Sequence, residues 1–264
     1  MTPFDLDALL RAEAGAFSLE LVRIAGIVIT APLAWSAAPA RVRAALIVLL
    51  TLAVHGQGTM SPEVASSASR IAACVGSEFL LGAAMGMTAR LTIAAVEIAS
   101  EQIGMAMGLG VAQVFDPQAH VSHNVLSGML RNLALVVAIG IGLHRILLGA
   151  VIESFRGIPP GSVVNLASYG ETFMAMGGLV FSTGVRFAMP ILAVLLMAQV
   201  ALAFVSRAAP AMQVFSVGFA VTLGVGAFVL VMALPDLAQE IAADMSQVQN
   251  RIGTVVTEAI GARP

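Results

Sequence analysis

Two carboxylates, Glu97 and Glu101, stand four residues apart, and Arg90 lies two turns before the first. On a helix this spacing puts both acids on one face. Inside an apolar stretch such a pair suits a proton or ion relay. It suits salt bridging to a neighbouring subunit, or a helix end outside the bilayer, as well. Arg23, Glu78, Arg131, Arg145 and Arg186 also lie within apolar runs. Each charge costs about 2.5–3.5 kcal/mol at the centre of a lipid-exposed helix, so protein or water must accommodate it. Little else supports catalysis. His120 and His123 share a segment with Asp116, but a metal site needs three or four ligands, and neither H-x-x-x-H nor H-E-x-x-H occurs. Cys74, the single cysteine, forms neither an internal disulfide nor a metal site by itself. There is no Walker A sequence and no G-x-S-x-G elbow, and Gly104–Gly110 lacks dinucleotide-binding spacing. The expectation is a non-enzyme without cofactor or metal.

The most informative stretch is residues 97–117, E-I-A-S-E-Q-I-G-M-A-M-G-L-G-V-A-Q-V-F-D-P. Gly104, Gly108 and Gly110 supply conformational freedom, and Asp116-Pro117 marks a turn. Met105 and Met107 are soft, unbranched side chains. They can fill a helix interface, or seal an irregular gap and repack around a passing chain. Both readings stand on the residues alone.

The elements that must position these residues follow from composition. The chain has 264 residues, 59% hydrophobic, 11% charged and 5% aromatic, with a mean hydropathy of +0.95. Soluble domains carry about 25% charged residues, and a soluble monomer this poor in charge could not cover its surface. Disorder is excluded by the same numbers. A net charge of −2 offers no basic field for nucleic acid. All 13 basic residues are arginine, which excludes lysine-based chemistry and favours ion pairs that persist when buried. The acidic start, Asp5 and Asp7, is unlike a signal peptide, so the first apolar segment is expected to be retained.

Six apolar runs, at about 18–35, 44–54, 71–110, 125–152, 174–205 and 214–234, alternate with polar breaks. A spanning helix needs about 20 apolar residues. The second run is too short and the third far too long, so the third must bend, break or leave the membrane. Pro32 and Pro190 should kink their runs, and Pro235 should stop the last. The G-x-x-x-G pairs Gly82/Gly86 and Gly104/Gly108 allow close helix approach. Residues 237–264 form an amphipathic tail, with Leu237, Ile241, Met245, Val248 and Ile252 near helical spacing. The prediction is an all-α integral membrane protein, one membrane-embedded domain over 1–264, with kinked, discontinuous helices made to pack on other helices. Arg41 and Arg43 favour a cytoplasmic first loop and Arg156 argues the opposite way, so charge fixes no orientation.

The chain resembles the FliR family of the flagellar type III export apparatus, whose injectisome counterparts are called SctT. The resemblance is collinear over nearly the whole chain. It begins with Arg23-Ile24-Ala25-Gly26, Ala31-Pro32, Pro39 and Arg41-Val42-Arg43, and continues through Glu78, Gly82 and Gly86. Its closest part is Gln102-Ile103-Gly104-Met105-Ala106-Met107-Gly108-Leu109 followed by Asp116-Pro117. Gly142-Leu143-His144, Ser154-Phe155, Pro159, Ala188-Met189-Pro190, Arg207-Ala208-Ala209-Pro210 and Phe215-Ser216-Val217-Gly218-Phe219 complete it. One departure is Ala211-Met212 between Pro210 and Gln213, where the family usually has Gln directly after the proline.

The resemblance implies helical hairpins in a helical hetero-oligomeric export gate of the bacterial inner membrane, within the flagellar basal body. FliP-like and FliQ-like subunits would share a pore with this chain, alongside a FlhB-like switch protein and a FlhA-like export component. Unfolded flagellar subunits would be the cargo. Gly104, Met105, Met107, Gly108, Gly110 and Phe115 would form a pore plug. Arg23, Glu78, Arg90, Glu97, Glu101 and Arg207 would be intersubunit or intramembrane polar contacts. Pro32, Asp116, Pro117, Pro190 and Pro210 would set turns and kinks. The alternatives are an injectisome gate subunit and a small secondary transporter with ionisable residues at broken helices.

Overall fold

The structure, a computed structural model, describes residues 6–33, 35, 38–57, 68–110, 125–162, 166–208 and 214–259. Among them the regular elements are eight α-helices: α1 Leu6–Thr30, α2 Ala40–Val54, α3 Ala68–Ala106, α4 Val125–Ile141, α5 Leu143–Gly157, α6 Leu166–Ala208, α7 Val214–Ser246 and α8 Val248–Ala259. Three stretches are long and apolar enough to cross a membrane: Ser69–Ala106, Met174–Ala208 and Val217–Thr257. Helices α4 and α5 together make a fourth, broken one. The chain is thus an all-α integral membrane protein.

The run boundaries carry one break within a run and one correction. The fourth apolar run holds a break, as the expected discontinuous helices allow: Gly142, at φ +81, separates α4 from α5. A left-handed residue cannot continue a right-handed helix, and glycine takes that conformation without a Cβ penalty. Pro235 does not stop the sixth run, because α7 continues through it to Ser246. An internal proline removes one hydrogen bond, and the helix persists where the neighbouring turns remain bonded. Pro190 likewise lies inside α6, whereas α1 ends at Thr30, two residues before Pro32. Helix α3 has 39 residues, or about 58 Å at 1.5 Å per residue. That is nearly twice the ~30 Å hydrocarbon core.

The chain divides into two compact units, Met1–Leu91 with Ile141–Gly177 and Met245–Pro264, and Thr92–Gly140 with Gly178–Asp244. In the first unit α1 buries one stripe: Ala16, Leu19, Glu20, Arg23, Ile24, Ile27 and Val28. The spacing is helical, so the two charges sit on the core face with the apolar residues. This stripe meets α3 at backbone distance. A Cβ on Gly26 would lie 2.5 Å from the Phe79 carbonyl oxygen, and one on Gly82 would overlap the carbonyl of Arg23. Gly86 faces Thr30 in the same way. The predicted Gly82/Gly86 pair therefore does what small-residue spacing permits. Helix α5 buries Leu143, Leu147, Ala150, Val151, Ser154 and Phe155 on one face. It packs on α8, whose Val248, Ile252 and Val255 are buried.

In the second unit α3 contributes Ile93, Val96, Ala99 and Ile103 to the core, and α6 contributes Phe187, Ile191 and Leu195. Gly184 lets α6 approach α3: a Cβ there would sit 2.9 Å from the Ala95 carbonyl oxygen.

Candidate functional site

The strongest polar feature of the first unit joins three segments that are far apart in sequence. Arg23 of α1 and Glu78 of α3 form an ion pair at 2.6 Å, with side chains 0% and 2% exposed. The arginine's Nη1 also donates to the carbonyl oxygens of Ser154, at 3.2 Å, and Ile158, at 2.9 Å. Ser154 lies in the last turn of α5, where its carbonyl already accepts the Ile158 N–H at 2.8 Å, and Ile158 follows the helix directly, so the guanidinium sits at the negative end of the helix dipole. The Arg23 guanidinium carbon lies 4.4 Å from the Phe155 ring centroid. The second Glu78 oxygen accepts the Gly161 N–H at 2.8 Å. One buried arginine and one buried carboxylate thus fasten α1, α3 and the turn after α5. The predicted polar residues Arg23 and Glu78 meet each other within the chain.

The site singled out at residues 104–110 lies in the second unit, where α3 ends. Gly104 is inside the helix and buried, and the helix stops after Ala106. Gly108 has φ +85. The Gly108 N–H donates to the Met105 carbonyl at 3.0 Å, and the Leu109 N–H donates to the Gly104 carbonyl at 2.9 Å. This pair of bonds is the Schellman motif, with Gly108 as the left-handed residue just past the helix. Gln199 of α6 satisfies a further carbonyl, donating from Nε2 to Ala106 O at 3.1 Å.

The two methionines part at this stop. Met107 is 3% exposed and lies against Gly226 of α7: a Cβ added there would come 2.5 Å from the Met107 Cγ. Met105 is 63% exposed. The ring of Phe219 closes over Gly108, 3.0 Å from where a Cβ would stand. Phe115, Asp116, Pro117 and Pro210 lie outside the described residues.

The other predicted polar positions separate. Glu97 pairs with Arg131 of α4 at 3.4 Å, both partly exposed. Glu101 is half-buried on the same helix, while Arg90 and Arg207 are exposed, Arg207 in the last turn of α6. Thr92 donates to Asp244 of α7 at 2.8 Å in a buried bond. Among the described residues no group of three or more His, Cys, Asp or Glu could hold a metal.

Sequence reasoning missed several members. That Arg23 closes α5 depends on a contact across 131 residues, which spacing cannot show. Gly226 carried no motif. Gly142 was legible as a helix breaker, but the apolar run on both sides masked it. His55, read only as a polar run end, lies 2.8 Å from Glu20 and 3.4 Å from Glu13.

Comparison of the sequence with known proteins places it in a family. Residues 14–248 fit the family described as bacterial export proteins, family 1. The flagellar biosynthetic protein FliR of Pectobacterium carotovorum subsp. carotovorum is 31% identical over 83% of this chain and 84% of its own length. The protein of the same name from Escherichia coli (strain K12) is 28% identical over 90% of this chain and 91% of its own. That of Caulobacter vibrioides is 28% identical over 84% and 89%. The match begins ahead of Arg23 and Glu78 and ends beyond Asp244, so both buried polar joints and the helix stop at Gly108 lie inside it, and the chain belongs to family 1 of the bacterial export proteins.

Proposed function

We propose that this chain is a non-catalytic subunit of the flagellar type III protein export gate in the bacterial inner membrane. With FliP-like and FliQ-like subunits it forms the pore through which unfolded flagellar subunits pass, next to FlhB-like and FlhA-like components. The observation that carries the reading is the family match over residues 14–248, with relatives named as flagellar biosynthetic proteins. The end of α3 supports the gating part. A rigid helix stops at Gly108 by a specific bonding pattern, one methionine is anchored in a glycine notch, and the other projects outward. A plug needs a fixed root and soft, deformable seal residues, and this stop has both. In this reading Met105 and Phe115 seal, while Met107, Gly108 and Phe219 hold the root.

The test is co-expression with FliP-like and FliQ-like chains, followed by purification and ion-conductance measurement in lipid vesicles. The intact chain is expected to co-purify in a closed assembly. Deletion of residues 108–112 is expected to leave assembly intact and raise small-ion conductance. An assembled deletion variant with unchanged conductance refutes the plug. Failure to co-purify refutes the subunit assignment.

A further inference from the structure

The α1–α2 pair carries a cluster of titratable groups that the export reading does not use. His55 follows α2 directly, and its backbone N–H donates to Thr51 O at 2.8 Å, so the ring is held at the helix end. Nδ1 of the ring lies 2.8 Å from Glu20 Oε2 and Nε2 lies 3.4 Å from Glu13 Oε2. Both carboxylates come from α1. Glu20 is 1% exposed, whereas Glu13 is 69% and His55 32% exposed. Phe17, between the two acids on α1, meets the imidazole edge-on with centroids 5.5 Å apart.

We propose that Glu13, Glu20 and His55 form an acid-strengthened latch that holds the end of α2 on α1 and loosens at alkaline pH. An imidazolium has two N–H donors and a positive charge, and it can serve both carboxylates at once. A neutral imidazole has one N–H and no charge. Deprotonation therefore removes one bond and leaves the buried Glu20 carboxylate with less compensation, which burial makes costly.

The surrounding groups do not replace it. Burial raises the Glu20 pKa above the ordinary carboxylate value, opposed first by His55 and then, more weakly, by the Gly56 backbone N–H and the charge of Arg23, one turn along α1. Arg156 of α5 is directed to the Gln57 amide oxygen at 3.3 Å. Hydrogen bonding to Glu20, and then the charges of Glu20 and Glu13, raise the His55 pKa above the ordinary histidine value. The sign follows by linkage. A raised native pKa contributes stability that is complete below the unfolded value, near 6.5, and is lost as pH rises through the native value.

Trp35, the only tryptophan, lies in an apolar cleft with Ile24 of α1, Leu50 and Val54 of α2 and Leu147 and Val151 of α5, so its emission responds to loosening of α2 from this cluster. The experiment uses the full chain in lipid nanodiscs between pH 5.5 and 9. Hydrogen exchange of residues 50–57, corrected for intrinsic rates, is read together with Trp35 emission. Wild type is expected to lose protection about fivefold across the titration, the scale of a partly exposed ion pair. Emission should shift at the same midpoint. His55→Gln should be pH-independent, with the low protection of alkaline wild type. Glu20→Gln should keep the transition but move its midpoint lower. PH-independent protection in wild type overturns the latch, as does a wild-type transition in His55→Gln. Should His55→Gln not fold, an unchanged midpoint in Glu20→Gln refutes it equally.

Discussion

Neutralising Glu78 is the sharpest test of how this chain carries charge inside an apolar fold. Glu78→Gln preserves shape and one acceptor oxygen but removes the counter-charge of an arginine that is 0% exposed. Breaking a buried pair from one side costs about 3–5 kcal/mol, because the remaining charge has lost its compensation. Replacing both partners, as in Arg23→Met with Glu78→Leu, removes the charge problem and leaves backbone groups behind. Ser154 O keeps a donor in the Ile158 N–H at 2.8 Å. The Ile158 carbonyl and the Gly161 N–H lose the partners they have here. Two orphaned groups at about 1–3 kcal/mol each put the double variant at roughly 2–6 kcal/mol. Two independent single losses would sum to roughly 6–10 kcal/mol. The expected coupling is therefore about 4 kcal/mol at the midpoints of these ranges. The assay is equilibrium unfolding of the full chain in mixed micelles, followed by Trp35 emission, for wild type, Glu78→Gln, the single variants Arg23→Met and Glu78→Leu, and the double variant. A Glu78→Gln loss below about 1 kcal/mol, or strict additivity in the double variant, refutes the coupled clamp.

Three further outcomes rest on single glycines. Gly82→Val should destabilise the chain by at least the roughly 1–3 kcal/mol of overpacking, since its Cβ would occupy the Arg23 carbonyl position; thermal unfolding in detergent measures it. Gly108→Ala should cost about 1–2 kcal/mol from the left-handed backbone, and hydrogen exchange should show fraying at residues 104–109 but not at 93–99. Gly226→Leu should drive Met107 out of its notch. A cysteine at position 107 in that background should then react with maleimide at least tenfold faster (about 1.4 kcal/mol of lost burial), and an unchanged rate would show that the notch does not hold it.

The helical class and most helix positions were legible because apolar runs and their breaks are local properties. The stop after Ala106 was legible in outline, since a glycine just past a helix is a local signal. The direction each methionine takes was not. Met105 lies in the last turn of α3 and Met107 just past it, and the contact that Met107 makes with Gly226 on α7 lies more than a hundred residues away in sequence. The charges show the same limit. That protein or water must accommodate them could be argued from the runs, but which charges pair, Glu78 with Arg23 included, could not. That Arg23 also closes α5 could not, because 131 residues intervene. Pro235 misled for a related reason. Local rules count the lost hydrogen bond, but Leu237, Ile241 and Met245, all 5% exposed or less, hold the helix together beyond it.

Burial runs opposite to hydropathy along the long helices. The best spanning window of α3 has a mean hydropathy of 1.6 and is 56% buried, whereas those in α6 and α7 reach 2.4 and are 17% buried. In a water-soluble fold the most apolar helix goes innermost, because burial drives folding. Here the helix with Glu78, Glu97 and Glu101 is the most buried of the three, with Arg23 as the buried counter-charge of Glu78 and Arg131 as the partly exposed one of Glu97. The apolar helices present Phe181, Met197, Phe204, Phe228 and Met232, each more than 60% exposed. This order is what a hydrocarbon environment imposes: it accepts apolar side chains outside and demands partners for polar ones inside. Arg186 and Arg207 interrupt the exposed surface of α6, though, and lipid alone does not serve a guanidinium within the core. Their surroundings therefore have to include polar protein or the membrane–water interface, to which a long arginine side chain can reach.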